Sequence, residues 1–410
     1  MENVSREKWI KFLEHKIKFP PVITNEWIDK KYNEWKNSPN PSKTDWEMIW
    51  RWGFCNRDMS KYDLSQLDKE HMAMLTFNSS TIWPSADKMP KDFNPQEILE
   101  RGKNPMLGIR DLHKKGITGK GVVVACIDTL FQGGNHIEFQ NANLHIQDFA
   151  ADEANFHSED VLSNLLGKNI GVAPEVECYY YSTNQRAGQT YFEQLMKVLN
   201  DIKKKIESGI EIRAISRSGP LVYRKIFEKR KGNKDYEDFL KRYFGSVENA
   251  KIVMTKIDEL ANLGCEVIDS DRFGSSFACC DIKYYDDYNN PENYYYSDWY
   301  FPENPTEKDI FELKSHKPAT LVCGGKVVPE FCSDTGYKFE QVSCFSWTIP
   351  QAVGMYALCL QVYKDLTWDE FCDIAKNTSK MNKNYVFLAN PKELIKEVKA
   401  LKENRAGVEV

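Results

Sequence analysis

The sequence contains no run of about 18 apolar residues, so no membrane-spanning helix is expected. Its first residues, Met-Glu-Asn-Val-Ser, lack the basic stretch and apolar core of a secretory signal, and the expectation is a cytoplasmic protein. There is no surplus of positive charge. Lys and Arg number 55 against 60 Asp and Glu, a formal net charge of −5, so no basic field draws in phosphates and nucleic acid is not an expected partner. Eleven cysteines are present, but no paired CxxC motifs and no Cys/His spacing of a zinc site, so neither metal nor other cofactor is expected. Cys126, Cys178, Cys265, Cys323 and Cys359 sit inside apolar runs. Without an export signal they read as reduced, buried thiols rather than disulfides.

What is there is globular: 41% hydrophobic and 28% charged residues over 410 positions, enough for one large domain plus an accessory one. Residues 1–105 hold seven of the ten tryptophans (Trp9, Trp27, Trp35, Trp46, Trp50, Trp52, Trp83), interleaved with charges at roughly helical spacing. They read as a mainly helical N-terminal extension packing aromatic faces on the main domain, or as an inhibitory or partner-recognition module. Residues 84–97 carry three prolines and read as a linker. From 106 to 400 short apolar runs at 122–127, 176–181, 212–216, 264–268 and 319–323 alternate with amphipathic stretches such as 191–206 and 248–263. Continuous apolar runs fit strands buried on both faces, and the alternation predicts an α/β fold, a mostly parallel β-sheet flanked by helices. Residues 221–245 read as a charged, solvated insertion and 401–410 as a tail. Residues 281–309 hold seven tyrosines among eight Asp and Glu without EF-hand spacing, and read as a surface loop or a calcium or basic-substrate site.

Acyl transfer by serine needs a nucleophile, an imidazole base and a carboxylate that fixes the imidazole's tautomer. On a parallel sheet these belong where strands end and helices begin. Asp128 follows the strand 122–127 in Ile127-Asp128-Thr129-Leu130. His157 precedes a short helix, 160–166, that runs into Gly171-Val172-Ala173-Pro174 and the strand after it. Ser346 opens an apolar helix with Pro350, Ala352 and Gly354 behind it, and a helix N-terminus offers unpaired N–H groups to an oxyanion.

These segments resemble the motifs of subtilisin-like serine peptidases. Asp128-Thr129 is similar to that family's Asp-Thr-Gly, and His136-Ile137-Glu138-Phe139 to its His-Pro-Glu turn. Gly171-Val172-Ala173-Pro174 stands as the family has it, and Ser346 with Pro350 matches Gly-Thr-Ser-x-Ala-x-Pro. The order Asp128, His157, Ser346 is the subtilisin order. The resemblance covers 106–400 and implies a subtilisin-like fold, with Asp128, His157 and Ser346 as catalytic triad. It makes Ser218 and Gly219, in Ser216-Arg217-Ser218-Gly219, contacts to a peptide or protein substrate.

Several residues depart from the pattern. Leu130 stands for a glycine, Ser158, Glu159 and Asp160 for Gly-Thr-His, and Cys344 and Phe345 for Gly-Thr. The oxyanion-hole asparagine has no counterpart in Asp269-Ser270-Asp271-Arg272-Phe273-Gly274, where Ser270 or Arg272 is the candidate substitute and Phe273 falls nearest the place. Two readings follow. One is a serine endopeptidase; the other is a weak or inactive homologue that binds peptides or proteins. A protein partner held through the N-terminal extension is compatible with both.

Overall fold

The structure, a computed structural model, describes residues 19–37, 53–150, 156–184, 188–274, 276–296, 319–322, 326–340 and 345–406. Trp9, Trp46, Trp50, Trp52, Cys323, Cys344 and residues 297–309 of the tyrosine-rich segment lie outside these. Thirteen strands are described: β1 (Phe77–Asn78), β2 (Val123–Asp128), β3 (Asn143–Asp148), β4 (Glu177–Ser182), β5 (Ile212–Arg217), β6 (Glu266–Ile268), β7 (Phe277–Asp281), β8 (Tyr295–Tyr296), β9 (Ala319–Val322), β10 (Val327–Pro329), β11 (Tyr337–Phe339), β12 (Lys380–Met381) and β13 (Phe387–Leu388). The helices that matter for the site are α1 (His157–Leu166), α2 (Gln189–Glu207), α3 (Arg224–Arg230), α4 (Lys234–Phe244), α5 (Val247–Asn262), α6 (Ser270–Gly274) and α7 (Phe345–Val362).

The fold is α/β. A five-stranded sheet of order β3-β4-β2-β5-β6, parallel throughout, is flanked by helices on both faces. Strand β2 shows why. Its alternate residues Val124 and Cys126 join the core made with α1 and α7, while Ala125 and Ile127 join the core made with α2 and α5. A strand covered on both faces must be apolar at every position, as Val123–Ile127 is. In α2 the residues Tyr191, Leu195, Val198, Leu199 and Ile202 recur at helical spacing and are all buried.

Three parts differ from the sequence expectation. Of the run 319–323, expected beside the others, Ala319–Val322 form β9 in a second five-stranded sheet of order β12-β13-β9-β7-β8. The insertion expected to be solvated contains α3 and α4, whose Phe227, Tyr236, Leu240 and Phe244 enter the core under α2. Strand β3 carries no apolar signal in sequence because Asn143-Leu-His-Ile-Gln-Asp148 is polar, as befits a largely exposed strand at the edge of its sheet. Residues 77–78 pair with β11, which pairs with β10, so the N-terminal region contributes a strand to a small antiparallel sheet. Its buried Phe19, Phe54, Phe77 and Phe93 share one cluster with Tyr284, Val327, Tyr337 and Phe339.

Helices α1 and α7 meet across a close approach. A Cβ at Gly354 would lie 2.8 Å from Val172 Cβ, inside the Gly-Val-Ala-Pro segment that follows α1. Gly354→Ala is therefore expected to destabilise the protein by about 1–3 kcal/mol. Val172→Ala in the same chain should recover part of that, read by urea unfolding of the two single variants and the double.

Candidate active site

Asp128 is the last residue of β2 and fully buried. It continues the alternation of Val124 and Cys126, so it faces the layer of α1 and α7. His157 is the first residue of α1, and its Nδ1 lies 2.6 Å from Asp128 Oδ1. The same oxygen accepts the Thr129 backbone N–H at 2.8 Å. Burial by itself would raise the Asp128 carboxyl; His157 and then Arg217 outweigh it and hold the group below the usual carboxylate range. The imidazole keeps 18% of its side-chain surface exposed, while Asp128 keeps none. A buried acid fixing a half-reachable imidazole is the arrangement a general base requires.

Ser346 is the second residue of α7 and half-buried. The next residue, Trp347, sets its indole 5.3 Å from the His157 ring, centroid to centroid. Helix geometry would send the N–H of residue 350 to the Ser346 carbonyl, but Pro350 has none. Ser218 Oγ donates to that carbonyl instead, at 2.9 Å. The hydroxyl read as a substrate contact is thus engaged with the backbone of Ser346 and ties the end of β5 to the start of α7. Gly219 follows, and a Cβ there would come within 3.2 Å of the Arg217 guanidinium.

The turn read as His136-Ile137-Glu138-Phe139 braces this arrangement. Glu138 is buried, and its carboxylate accepts from the Asn169 and Ile170 backbone N–H groups at 2.8 and 3.2 Å and from Tyr337 Oη at 2.6 Å. It therefore fixes the segment between α1 and Gly171. Glu159 and Asp160, seen in sequence only as replacements, are also buried. Glu159 accepts from the Gln132 backbone N–H and from Ser158 Oγ, and burial pushes its carboxyl up to about 7. Asp160 meets Lys338 from β11 at 3.2 Å. No signal in the local sequence marks Lys338 as its partner, since 178 positions separate them.

In the stretch Asp269–Gly274, residues Ser270–Gly274 form α6. Asp269 caps it, accepting from the Arg272 N–H at 2.8 Å and from the Leu221 N–H at 2.5 Å, and burial lifts its carboxyl to about 7. Arg272 is drawn to Glu266 at 2.8 Å, and Phe273 is buried against Phe277, with ring centroids 5.4 Å apart. Cys344 is outside the described residues, as is the side chain of Phe345. Among the described residues no group of three or more His, Cys, Asp or Glu is arranged to hold a metal ion, and no helix is long and apolar enough to cross a membrane.

No protein-family model matches the chain, and no curated protein matches it. Solved structures do. The chain is similar to the PatG macrocyclase domain, at 10% identity and a TM-score of 0.44, over 72% of this chain and 96% of that one. It is similar to the prenylagaramide maturation protease PagA, at 13% identity and 0.43, over 72% and 99%. It is also similar to the nisin leader peptidase NisP from Lactococcus lactis, at 14% identity and 0.43, over 72% and 95%.

Proposed function

We propose that the chain is a serine peptidase in which Ser346 attacks a peptide carbonyl, His157 takes and returns the proton, and Asp128 orients His157. The observation that carries this reading is the 2.6 Å contact between His157 Nδ1 and the buried Asp128 carboxylate, made beside the helix start that bears Ser346. With Asp128 ionised, Nδ1 keeps its proton and Nε2 is left as the base. Attack by Ser346 Oγ forms the tetrahedral adduct as its proton passes to Nε2. Collapse expels the amine, which takes that proton back, and water then hydrolyses the acyl-enzyme by the same route. The first-turn N–H groups of α7 are the donors available to the oxyanion. Ser218 Oγ ties the Ser346 carbonyl to the end of β5. The peptide would lie against the Ser218–Gly219 segment that follows β5, with the chain acting in the cytoplasm and residues 1–105 serving as an N-terminal extension joined to the rest through the pairing of β1 with β11.

A second reading, a peptide-binding homologue of low activity, is favoured by one feature. Arg272, the charged candidate for the missing asparagine, is engaged by Glu266. Losing one oxyanion donor costs such enzymes about 10²–10³ in rate, which slows without abolishing.

A fluorophosphonate probe tests the choice. The wild-type protein is expected to be labelled and Ser346→Ala to remain unlabelled, read by intact mass. Folded wild-type protein that takes no label refutes the peptidase reading.

A further inference from the structure

The two oxygens of Asp128 have different company. Oδ1 serves His157 and Thr129, whereas Oδ2 has no hydrogen-bond partner and faces the Arg217 guanidinium, with Nη1 at 3.9 Å. Arg217 is the last residue of β5 and only 3% exposed. Its Nη1 donates to the Ile127 carbonyl at 3.1 Å, and its guanidinium carbon sits 5.5 Å from the Tyr191 ring centroid. Gly219 leaves the room it needs. A buried cation is costly unless a carboxylate compensates it, and Asp128 is the carboxylate it faces. In sequence this arginine stands between Ser216 and Ser218 and reads as part of a substrate-binding edge.

We infer that Arg217 is a positioning residue for the Asp128–His157 pair: its guanidinium, fixed behind Oδ2, keeps Oδ1 turned to His157 and offsets part of the carboxylate's pull on the imidazole proton. Asp128 alone favours the charged imidazolium and delays loss of its proton as pH rises. A fixed positive charge behind the carboxylate offsets part of that attraction, so the base is freed at lower pH. Other titratable groups face the pair: Glu159 from α1, Tyr180 from β4, and Cys126 from β2 itself. They are common to every variant, so a difference between variants reports Arg217.

The inference rests on the proposed triad only for its chemical readout, and two measurements separate the two ideas. One is the pH dependence of fluorophosphonate labelling; the other is the NMR titration of the His157 ring proton, which needs no chemistry. Arg217→Met is expected to move both midpoints upward by about one pH unit, and Arg217→Lys, which keeps the charge, to move them by less than half of that. Should Arg217→Met fail to fold, Arg217→Gln keeps a donor for the Ile127 carbonyl without the charge and reads the same shift. A wild type that takes no label, with a midpoint that still moves in the NMR titration, sinks the peptidase reading and upholds this one. Identical NMR midpoints in folded wild type and the uncharged variant overturn it.

Discussion

Asp128→Asn is expected to slow acylation of Ser346 about 10⁴-fold, the loss seen when a triad carboxylate is replaced by an amide. The neighbours of Asp128 say why an isosteric change costs so much. The Thr129 N–H at 2.8 Å requires an acceptor at the Oδ1 position, and so does the protonated Nδ1 of His157 at 2.6 Å. An asparagine that puts its oxygen there turns its NH₂ toward the Arg217 guanidinium, 3.9 Å away in the wild type. The opposite rotamer aims NH₂ at His157, which then protonates Nε2 and removes the base. Neither orientation suits both sides. The charge is lost in either case, leaving Arg217 buried without a counter-ion. That should cost about 3–5 kcal/mol of stability in addition. The two effects separate in the pair Asp128→Asn with Arg217→Met, where stability should largely return while labelling by the probe should not. Stopped-time labelling and urea unfolding of the three variants check this. Single-variant labelling within tenfold of wild type would contradict the assigned role of Asp128.

Much of this site was legible because each part is a local pattern. An apolar run closing on Asp128, a Gly-Val-Ala-Pro segment after a short helix, and a serine with proline four positions on are all contiguous signals. They are strong because backbone geometry, not long-range packing, creates them. What escaped reading is tertiary. Arg217 is a charge at the end of an apolar strand, and only the parallel pairing of Ile127 with Arg217 brings it to Asp128. Lys338 lies in a three-residue strand whose partner Asn78 is far away in the chain. The α4 stripe of Tyr236, Leu240 and Phe244 was readable at i, i+4, i+8, but the surrounding Lys, Arg, Asp and Glu outweighed it. Composition described the outer face of that helix, and spacing described the inner one.

The other large effect is expected at Lys338. Its ammonium sits between Asp160, 3.2 Å away on α1, and Glu340, with which it is also in contact, and its side chain is only 6% exposed. Lys338→Met keeps the aliphatic stem and deletes the charge, leaving buried Asp160 without this partner. Breaking a buried pair from one side costs about 3–5 kcal/mol. Burial raises the Asp160 carboxyl, Lys338 offsets this only in part, and the folded protein therefore holds the Asp160 proton to higher pH than the unfolded chain does. With the folded value above the unfolded one, stability is lost as pH rises from the usual carboxyl value of 3.8 through the folded one. Without Lys338 the folded value climbs further and that window extends upward. The variant should thus unfold only slightly more readily than wild type near pH 5 and much more readily at pH 8. Asp160→Asn in the Lys338→Met background should restore much of the stability at pH 8 and weaken the pH dependence, because the Asp160 carboxyl no longer has to be charged inside the protein. An equal loss at both pH values would show that Lys338 acts through Glu340 or through packing on Phe156, whose ring centroid is 4.6 Å from its Nζ, rather than through Asp160. Since α1 starts with His157 three residues before Asp160, the same ion pair anchors the base to the small sheet of β1, β11 and β10. Acylation of Ser346 should therefore fall in Lys338→Met even where the protein remains folded, and recover with Asp160→Asn.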